Sequence, residues 1–137
     1  MTAEEARRLF AEARVARLAT VDASGRPHLV PVVFAVSGDA VVSAVDAKRK
    51  RTTALRRLDN VRRNPRVALL ADHYDDSDWD ALWWVRADGS ARVLDAGTPE
   101  ARRAIALLAE RYRQYREAPP RGSVLAVDVE RWSGWRA

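Results

Sequence analysis

The sequence predicts a mainly β fold, with about six antiparallel strands closed into a small barrel and two or three helices outside it. Short turns at Asp22–Gly25 and Ser37–Asp39 separate the first strand-like stretches. Connections this short cannot hold the crossover that parallel neighbours need, so consecutive strands should be antiparallel. Closure into a barrel is favoured over a sandwich because it leaves no exposed strand edge.

Stretches rich in β-forming residues mark the strands. The expected strand regions are Arg14–Val21, Pro27–Val36, Ala40–Val45, Val67–Ala71, Trp79–Ala87, Ser90–Leu94 and Val124–Val129. Asp88-Gly89 is typical of a hairpin turn, and Pro31 indicates an edge strand or a bulge, because proline cannot donate to a ladder. Trp83 and Trp84 should face opposite sides of their strand, one in the core and one towards a cleft or a partner. The chain closes with an aromatic tail, Trp132–Trp135.

Three stretches have helical periodicity. Thr2–Ala13 begins with the capping-box spacing of Thr2 and Glu5. A second helix should begin near Thr52, with Thr52 or Thr53 as its N-cap, bury a stripe that includes Leu58, and end at Asn64-Pro65. Thr98-Pro99 predicts the start of a third helix, which Pro119-Pro120 should end.

Length and composition limit the functional class. A chain of 137 residues with 47% hydrophobic and 31% charged residues should form a single globular domain, 1–137. No apolar run approaches membrane-spanning length, and the N-terminus lacks the features of a signal peptide, so we expect a cytoplasmic protein. The absence of cysteine excludes thiol catalysis.

The side chains offer no evident catalytic group. His28 and His73 are the only histidines and are far apart in the chain. No nucleophile elbow, phosphate-binding loop or dinucleotide glycine motif is present. We therefore assign no catalytic side chain and expect no metal site. If the protein is an enzyme, a cofactor must carry its chemistry.

The segment Asp46–Arg66 concentrates the positive charge of the chain. Lys48 and Lys50 are the only lysines of the whole chain. They precede the predicted second helix, whose N-terminal N–H groups would favour an anion. A phosphorylated cofactor or a nucleic acid would suit this segment, and a solvated loop is the simpler interpretation. Nucleic acid is the less favoured partner despite the net charge of +5, because arginines are scattered along the chain and the helix has an apolar stripe.

Several motifs resemble a known family. They are Gly25–Val33, Asp46–Thr53, Leu58–Leu70, Leu82–Ala91 and Trp132–Trp135. Together these segments are similar to the pyridoxamine 5'-phosphate oxidase-like (PPOX class) proteins, whose fold is the FMN-binding split β-barrel. The Lys-x-Lys-Arg-Thr-Thr loop and Leu-Trp-Trp-Val-Arg-Ala-Asp-Gly more closely resemble the branch that uses the deazaflavin coenzyme F420.

The resemblance implies a homodimer with two cofactor clefts at the subunit interface. It implies hydride transfer between F420 and a small organic substrate that the sequence does not identify. Carried over to this chain, the phosphate ligands would be Lys48, Lys50, Arg51 and Thr52, with Arg57 near the acidic tail of the cofactor. Pro31, Val32 and Val33 would line the deazaflavin through their backbone, and Trp84 would form part of the cleft wall. Three alternatives stay open: an FMN-binding relative, an F420 carrier without turnover, and a nucleic-acid-binding protein that uses the Arg-rich helix.

Overall fold

The computed structural model describes residues 1–45 and 51–137, with only the backbone of 51–55. The helices are α1 Ala3–Glu12, α2 Arg51–Arg63, α3 Pro99–Arg111 and α4 Arg113–Glu117. The strands are β1 Ala16–Val21, β2 Pro27–Val32, β3 Ala35–Ser37, β4 Ala40–Ala44, β5 Arg66–His73, β6 Trp83–Leu94 and β7 Val124–Arg136. The prediction of a mainly β antiparallel fold with flanking helices is confirmed. The described residues form seven strands and four α-helices, where fewer of each were expected.

The seven strands form one sheet in the order β2-β1-β5-β6-β7-β4-β3. Its two edge strands, β2 and β3, are separated in the chain by only Val33 and Phe34. Three Cα steps span at most about 11 Å, so the sheet must curl until its edges approach each other. No ladder joins β2 to β3 within the described residues, so the sheet is not fully closed. The split barrel that the family resemblance implies is therefore confirmed.

The edge position of β2 agrees with the interpretation of Pro31. Among the described residues β2 pairs with β1 alone, and Pro31 lies opposite Arg17. The expected strand Pro27–Val36 is divided, because the chain leaves β2 after Val32 and joins the other edge at Ala35.

The hairpin predicted at Asp88-Gly89 is wrong. β6 continues through both residues, and a β-bulge in its pairing with β7 falls between them. A Cβ on Gly89 would lie 2.2 Å from the carbonyl oxygen of Asp128, so glycine is required here by the close approach of β7. Local composition did not distinguish a turn glycine from a bulge glycine.

The ends of two predicted strands also differ. Trp79–Ala81 forms a short 3-10 turn before β6, and the expected aromatic tail is the last part of β7. Trp135 pairs with Trp84 across the β6/β7 ladder. Pairing with β6 gives this stretch backbone hydrogen-bond partners. Its alternation of apolar and polar residues was too weak to predict a strand from sequence.

The helices pack against the sheet and contribute to two separate hydrophobic cores. In α1, which has the predicted capping box, Phe10 is fully buried against Phe34 and Trp132, at ring-centroid distances of 4.6 and 5.4 Å. Leu58 of α2 joins the same core, while Leu108 of α3 lies in a second core beneath β4. Among the described residues, no helix combines the length and the apolar character needed to cross a bilayer.

Both long helices largely follow the prediction. α2 spans Arg51–Arg63 and ends as expected. The backbone at Thr52 and Thr53 is helical, and the residues before Arg51, where a cap would lie, are outside the described residues. Thr98 caps α3 by accepting a hydrogen bond from the backbone N–H of Ala101. The predicted third helix is divided at Tyr112, which lies between α3 and α4.

Candidate functional site

The strands β2, β1, β5 and β6 present an outer face, defined here as the side of the sheet that points away from the barrel core. Side chains alternate along a strand, so Leu18 and Leu69 lie in the core while Arg17 and Leu70 lie on the outer face. A cavity of about 480 Å³ opens on this face. It is lined by Arg17, Ala19, Leu29, Ala68, Leu69, Leu70, Asp72 and Arg86. Its size is typical of small-molecule sites, and we call it the outer-face cavity.

Charged side chains surround an apolar surface in this cavity. Arg17 Nη1 lies 3.5 Å from Asp72 Oδ1, while Arg86 Nε donates to Asp88 Oδ2 at 2.9 Å. All four side chains are partly exposed, and such pairs contribute only about 0–1 kcal/mol to stability. Little free energy would therefore be lost if either guanidinium exchanged its carboxylate for an anionic ligand.

Large apolar side chains are exposed beside these charges. Leu29 is 67% and Leu70 is 37% exposed. The guanidinium of Arg86 also lies 5.7 Å from the ring centroid of Trp84, within cation–π range. The face thus combines apolar area for a flat ligand with cationic groups for its polar substituents.

The open edge of β2 borders the outer-face cavity. Pro31 has no N–H, so its pair with Arg17 must be of the type that is not hydrogen-bonded, and Val30 exchanges hydrogen bonds with Leu18. By the same alternation, the N–H and C=O of Leu29 point away from β1, as does the C=O of Pro31. Backbone donors and acceptors are therefore presented at the edge next to the cavity.

The two residues that follow β2, Val33 and Phe34, form the link between the sheet edges, and we call them the corner. Ser43 Oγ donates to the carbonyl of Val33 at 2.9 Å. The hydroxyl of Tyr112 accepts from the N–H of Phe34 at 3.2 Å and lies 2.9 Å from the Phe34 carbonyl. Side chains thus satisfy backbone groups that no sheet ladder satisfies.

Helix α2 carries the predicted anion-binding residues and is attached to β1 by a buried hydrogen bond. Asn60 Nδ2 donates to Thr20 Oγ1 at 3.0 Å. Arg57 is only 8% exposed, and its Nε has no hydrogen-bond partner among the described residues. Burial lowers the pKa of Arg57, while the nearby Tyr115 opposes that shift. A buried guanidinium with an unused donor is a favourable position for an anionic group.

His28 points into the barrel from β2 and lies opposite Thr20. Burial lowers its pKa from 6.5, and the charges of Arg56 and Arg57 lower it further. The ring is therefore neutral at pH 7. Its Nδ1 is buried without a partner among the described residues, so we assign it no part in the outer-face cavity.

The structure brings together only some of the predicted site residues. Pro31 and Trp84 flank the outer-face cavity, because they pair with its lining residues Arg17 and Asp72. Trp83 packs on the core, which confirms that the two adjacent tryptophans face opposite sides.

The other predicted site residues are placed elsewhere. Val32 is buried in the core, Val33 lies in the corner, and Arg57 is buried in α2 near Tyr115. Lys48 and Lys50 lie outside the described residues, as do the side chains of Arg51 and Thr52, so their assignment to a phosphate site stays a prediction.

Sequence reasoning missed most of the residues that line the cavity, namely Arg17, Leu29, Leu70 and Arg86. A signal was present in the alternation of the strands. Arg17 interrupts the apolar run of β1, and Arg86 does the same in β6, at positions that alternate with core residues. Charged residues in the middle of strands identify an outward face, although they do not show that it is concave.

A sequence profile for the pyridoxamine 5'-phosphate oxidase family matches residues 2–136. The chain belongs to this family. The match covers the whole sheet and all four helices, and it agrees with the split barrel that the strand order describes.

One curated relative of this family member has an assigned activity. The 5a,11a-dehydrotetracycline/5a,11a-dehydrooxytetracycline reductase of Streptomyces rimosus is 36% identical over 89 residues. The aligned region covers 63% of this chain and 59% of the relative. The match thus spans less than two thirds of either protein.

Solved structures of similar fold have varied descriptions. A conserved hypothetical protein from Mycobacterium tuberculosis superposes with a TM-score of 0.76 at 25% identity, over 99% of this chain and 85% of the other. A heme-binding protein from Mycobacterium smegmatis superposes with a TM-score of 0.74 at 24% identity, over 97% of this chain and 53% of the other. The second similarity shows the fold alone.

Proposed function

We propose that this protein is an F420-dependent oxidoreductase. It binds the deazaflavin in a cleft between two copies of the chain and transfers a hydride to or from a small organic substrate. The observation that carries the proposal is the outer-face cavity of about 480 Å³ beside the open edge of β2. The similarity to a reductase supports oxidoreductase chemistry, and the resemblance of the Lys-x-Lys-Arg-Thr-Thr loop supports F420 as the cofactor.

The residues present fit a ligand with a flat ring and an anionic tail. Leu29 and Leu70 offer apolar surface for the ring, and the open edge of β2 at Leu29 and Pro31 offers hydrogen-bonding groups along its edge. Arg57 has a buried, unused Nε for an anionic group. Lys48, Lys50, Arg51 and Thr52, at the N-terminus of α2, are the proposed phosphate ligands.

When bound, the deazaflavin supplies the hydride chemistry. The chain binds and orients the cofactor: the β2 edge fixes the ring plane, and the apolar side chains exclude water from one of its faces. Trp84 and Arg86 form the wall towards β7. We assign no proton donor, so water or the substrate supplies any proton.

The same face supports the homodimer that we propose. In one chain the outer-face cavity is open to solvent, and both Leu29 and Leu70 are exposed beside it. A second copy packed over this face would bury these leucines and enclose the ligand between the subunits. The described residues of a single chain supply no second wall for a ring.

The alternatives differ in how well they suit the cavity. FMN shares a phosphate and a tricyclic ring with F420, so an FMN-binding protein is the nearest alternative, and an F420 carrier would use the same residues without turnover. Among the described residues, the lining of the outer-face cavity contains no histidine, methionine, tyrosine or cysteine, which are the usual axial ligands of haem iron. Haem is therefore disfavoured in this cavity.

The test compares ligands on one protein. Oxidised F420, FMN, haemin and a short DNA duplex are titrated separately, with F420 and FMN followed by their fluorescence. We expect selective F420 binding that is weakened at least about tenfold by Lys48→Ala/Lys50→Ala, because each hydrogen bond to a charged group contributes about 1.5–3 kcal/mol. The matched control is Arg62→Ala/Arg63→Ala, which removes the same charge from the exposed C-terminal end of α2.

The outcomes separate the hypotheses. Equal losses in both double variants would show that net charge, not a site, attracts the cofactor. Selective FMN binding would keep the reaction class and overturn the F420 assignment. Binding to DNA alone, with steep salt dependence, would overturn the oxidoreductase proposal. Turnover is measured with reduced F420 and a panel of unsaturated compounds, because oxidation of the cofactor restores its fluorescence. Binding of F420 without any such recovery would favour a carrier.

A further inference from the structure

Tyr112 lies at the junction of α3 and α4, and its hydroxyl reaches the corner of the barrel. It accepts from the N–H of Phe34 at 3.2 Å and lies 2.9 Å from the carbonyl of Phe34 and 3.1 Å from that of Arg14. The phenol proton can be donated to only one of these carbonyls at a time. One side chain therefore connects the backbone of the corner with the segment between α1 and β1.

The corner needs such support because it belongs to neither edge strand. Buried backbone groups that lack a partner cost about 1–3 kcal/mol each, and Phe34 is fully buried. Tyr112 satisfies the N–H and C=O of Phe34, while Ser43 satisfies the C=O of Val33. The two hydroxyls approach the corner from different elements, one from β4 and one from the α3/α4 junction.

The position of Tyr112 is itself tightly determined. Its backbone N–H donates to the carbonyl of Leu108 at 2.9 Å, which ends α3. Two guanidinium groups lie within cation–π range of its ring, those of Arg14 at 4.7 Å and Arg111 at 5.3 Å from the ring centroid. Arg111 in turn donates to the carbonyls of Ala11 and Ala13. The phenol is therefore held by α1 and α3 together and has little freedom to follow a displaced corner.

The corner continues directly from the segment that borders the outer-face cavity. Pro31 pairs with the cavity residue Arg17, and Val33 follows two residues later. Only three peptide bonds separate Phe34 from Pro31, so a displaced corner can reorient the edge backbone at Pro31. The orientation of the backbone at Pro31 thus depends on the Tyr112 hydroxyl, although Tyr112 does not line the outer-face cavity.

We propose that Tyr112 is a positioning residue, which holds the corner so that the backbone of Pro31–Val33 lies correctly against the bound cofactor. This inference depends on the proposed function, since that assignment places the deazaflavin ring along the same segment. Tyr112 does not line the outer-face cavity and acts only through the backbone.

The test uses Tyr112→Phe, which removes the hydroxyl and keeps the ring beside its two arginines. The matched control is Tyr74→Phe, which removes a hydroxyl that bonds Asp76 at 2.8 Å in an exposed loop. Two quantities are measured for the wild type and both variants. The first is hydrogen exchange of the Phe34 amide, and the second is the affinity and the emission spectrum of bound oxidised F420.

For Tyr112→Phe we expect exchange of the Phe34 amide to accelerate about twofold to tenfold, the range that the net contribution of one hydrogen bond predicts. We expect F420 affinity to fall by a similar factor and the emission of the bound cofactor to move towards that of the free cofactor. Tyr74→Phe should change neither quantity. A merely structural role for Tyr112 would not alter the spectrum of the bound cofactor.

Two results would overturn the inference. Unchanged Phe34 exchange in Tyr112→Phe would show that the hydroxyl does not hold the corner. Faster exchange with unchanged affinity and emission would show that the corner is held but does not position the ring. If the wild type binds FMN and not F420, the F420 proposal fails, and the same comparison with the flavin spectrum then decides the role of Tyr112.

Discussion

Removing the hydroxyl of Thr20 should destabilise the protein measurably, although the change is nearly isosteric. Thr20 is 1% exposed and Asn60 is 3% exposed, and the amide Nδ2 of Asn60 donates to Thr20 Oγ1 at 3.0 Å. Thr20→Val keeps the shape of the side chain and creates no cavity. It leaves a buried amide hydrogen without its acceptor, so the cost is a desolvation cost and not a packing cost.

The expected magnitude follows from that single unpaired donor. An unsatisfied buried polar group costs about 1–3 kcal/mol. For a domain of this length a loss of 1 kcal/mol lowers the melting temperature by about 4 °C. Thr20→Val should therefore melt about 4–12 °C below the wild type. Because Asn60 lies in α2, the loss should also loosen the helix that carries the proposed phosphate ligands.

Urea unfolding, monitored by tryptophan fluorescence, measures the free energy of unfolding. The slope of this free energy against urea concentration should be the same in the wild type and the variant. The double variant Thr20→Val/Asn60→Leu removes both partners, so its loss should be at least about 1 kcal/mol smaller than the sum of the two single losses. Ser77→Ala is the control, because its hydroxyl donates to Asp75 at 2.7 Å on the exposed surface. A loss below about 0.5 kcal/mol for Thr20→Val, or one equal to that of the control, would refute the reasoning.

Two further predictions concern the bulge and the buried histidine. Gly89→Ala would place a Cβ 2.2 Å from the carbonyl oxygen of Asp128, so we expect a loss of about 1–3 kcal/mol in thermal melts, against little change for Ser90→Ala. An equal loss in both variants would contradict the proposed clash. Folding lowers the pKa of His28 from 6.5, so its stabilising contribution is present above that value and is lost as the pH falls below it. Urea unfolding at about pH 8 and about pH 5 should therefore show a smaller acid-induced loss for His28→Gln than for the wild type. Equal losses would contradict the assignment.

The parts of the fold that sequence predicted are those governed by local periodicity. Alternation located β1 and β4 closely, and capping signals at Thr2 and Thr98 set the starts of α1 and α3. These features depend on neighbours three or four residues away, which the sequence shows directly. Pro31 likewise placed β2 at a sheet edge, because proline has no N–H to donate to a second neighbouring strand.

The errors have one physical cause, which is contact between distant parts of the chain. Asp88-Gly89 has the composition of a turn, and only the approach of Asp128 from β7 makes it a bulge. The aromatic segment at Trp132–Trp135 becomes a strand because β6 supplies its partners. Neither cause lies within a window of ten residues, so local pattern alone could not reveal either.

The candidate site was predicted less well than the fold because concavity is a property of the whole sheet. Arg17, Arg86 and Asp72 lie in three strands. Arg17 and Arg86 are single charges within apolar stretches, whereas Asp72 lies near the end of β5. They share one cavity because β1, β5 and β6 are adjacent and the sheet curls. That curl is required by the corner, where Val33 and Phe34 alone span the two sheet edges. The same two residues therefore shape the cavity and, through Tyr112 and Ser43, fix the backbone beside it. A change at the corner should accordingly affect ligand binding before it affects overall stability, because the long β6/β7 ladder does not depend on it.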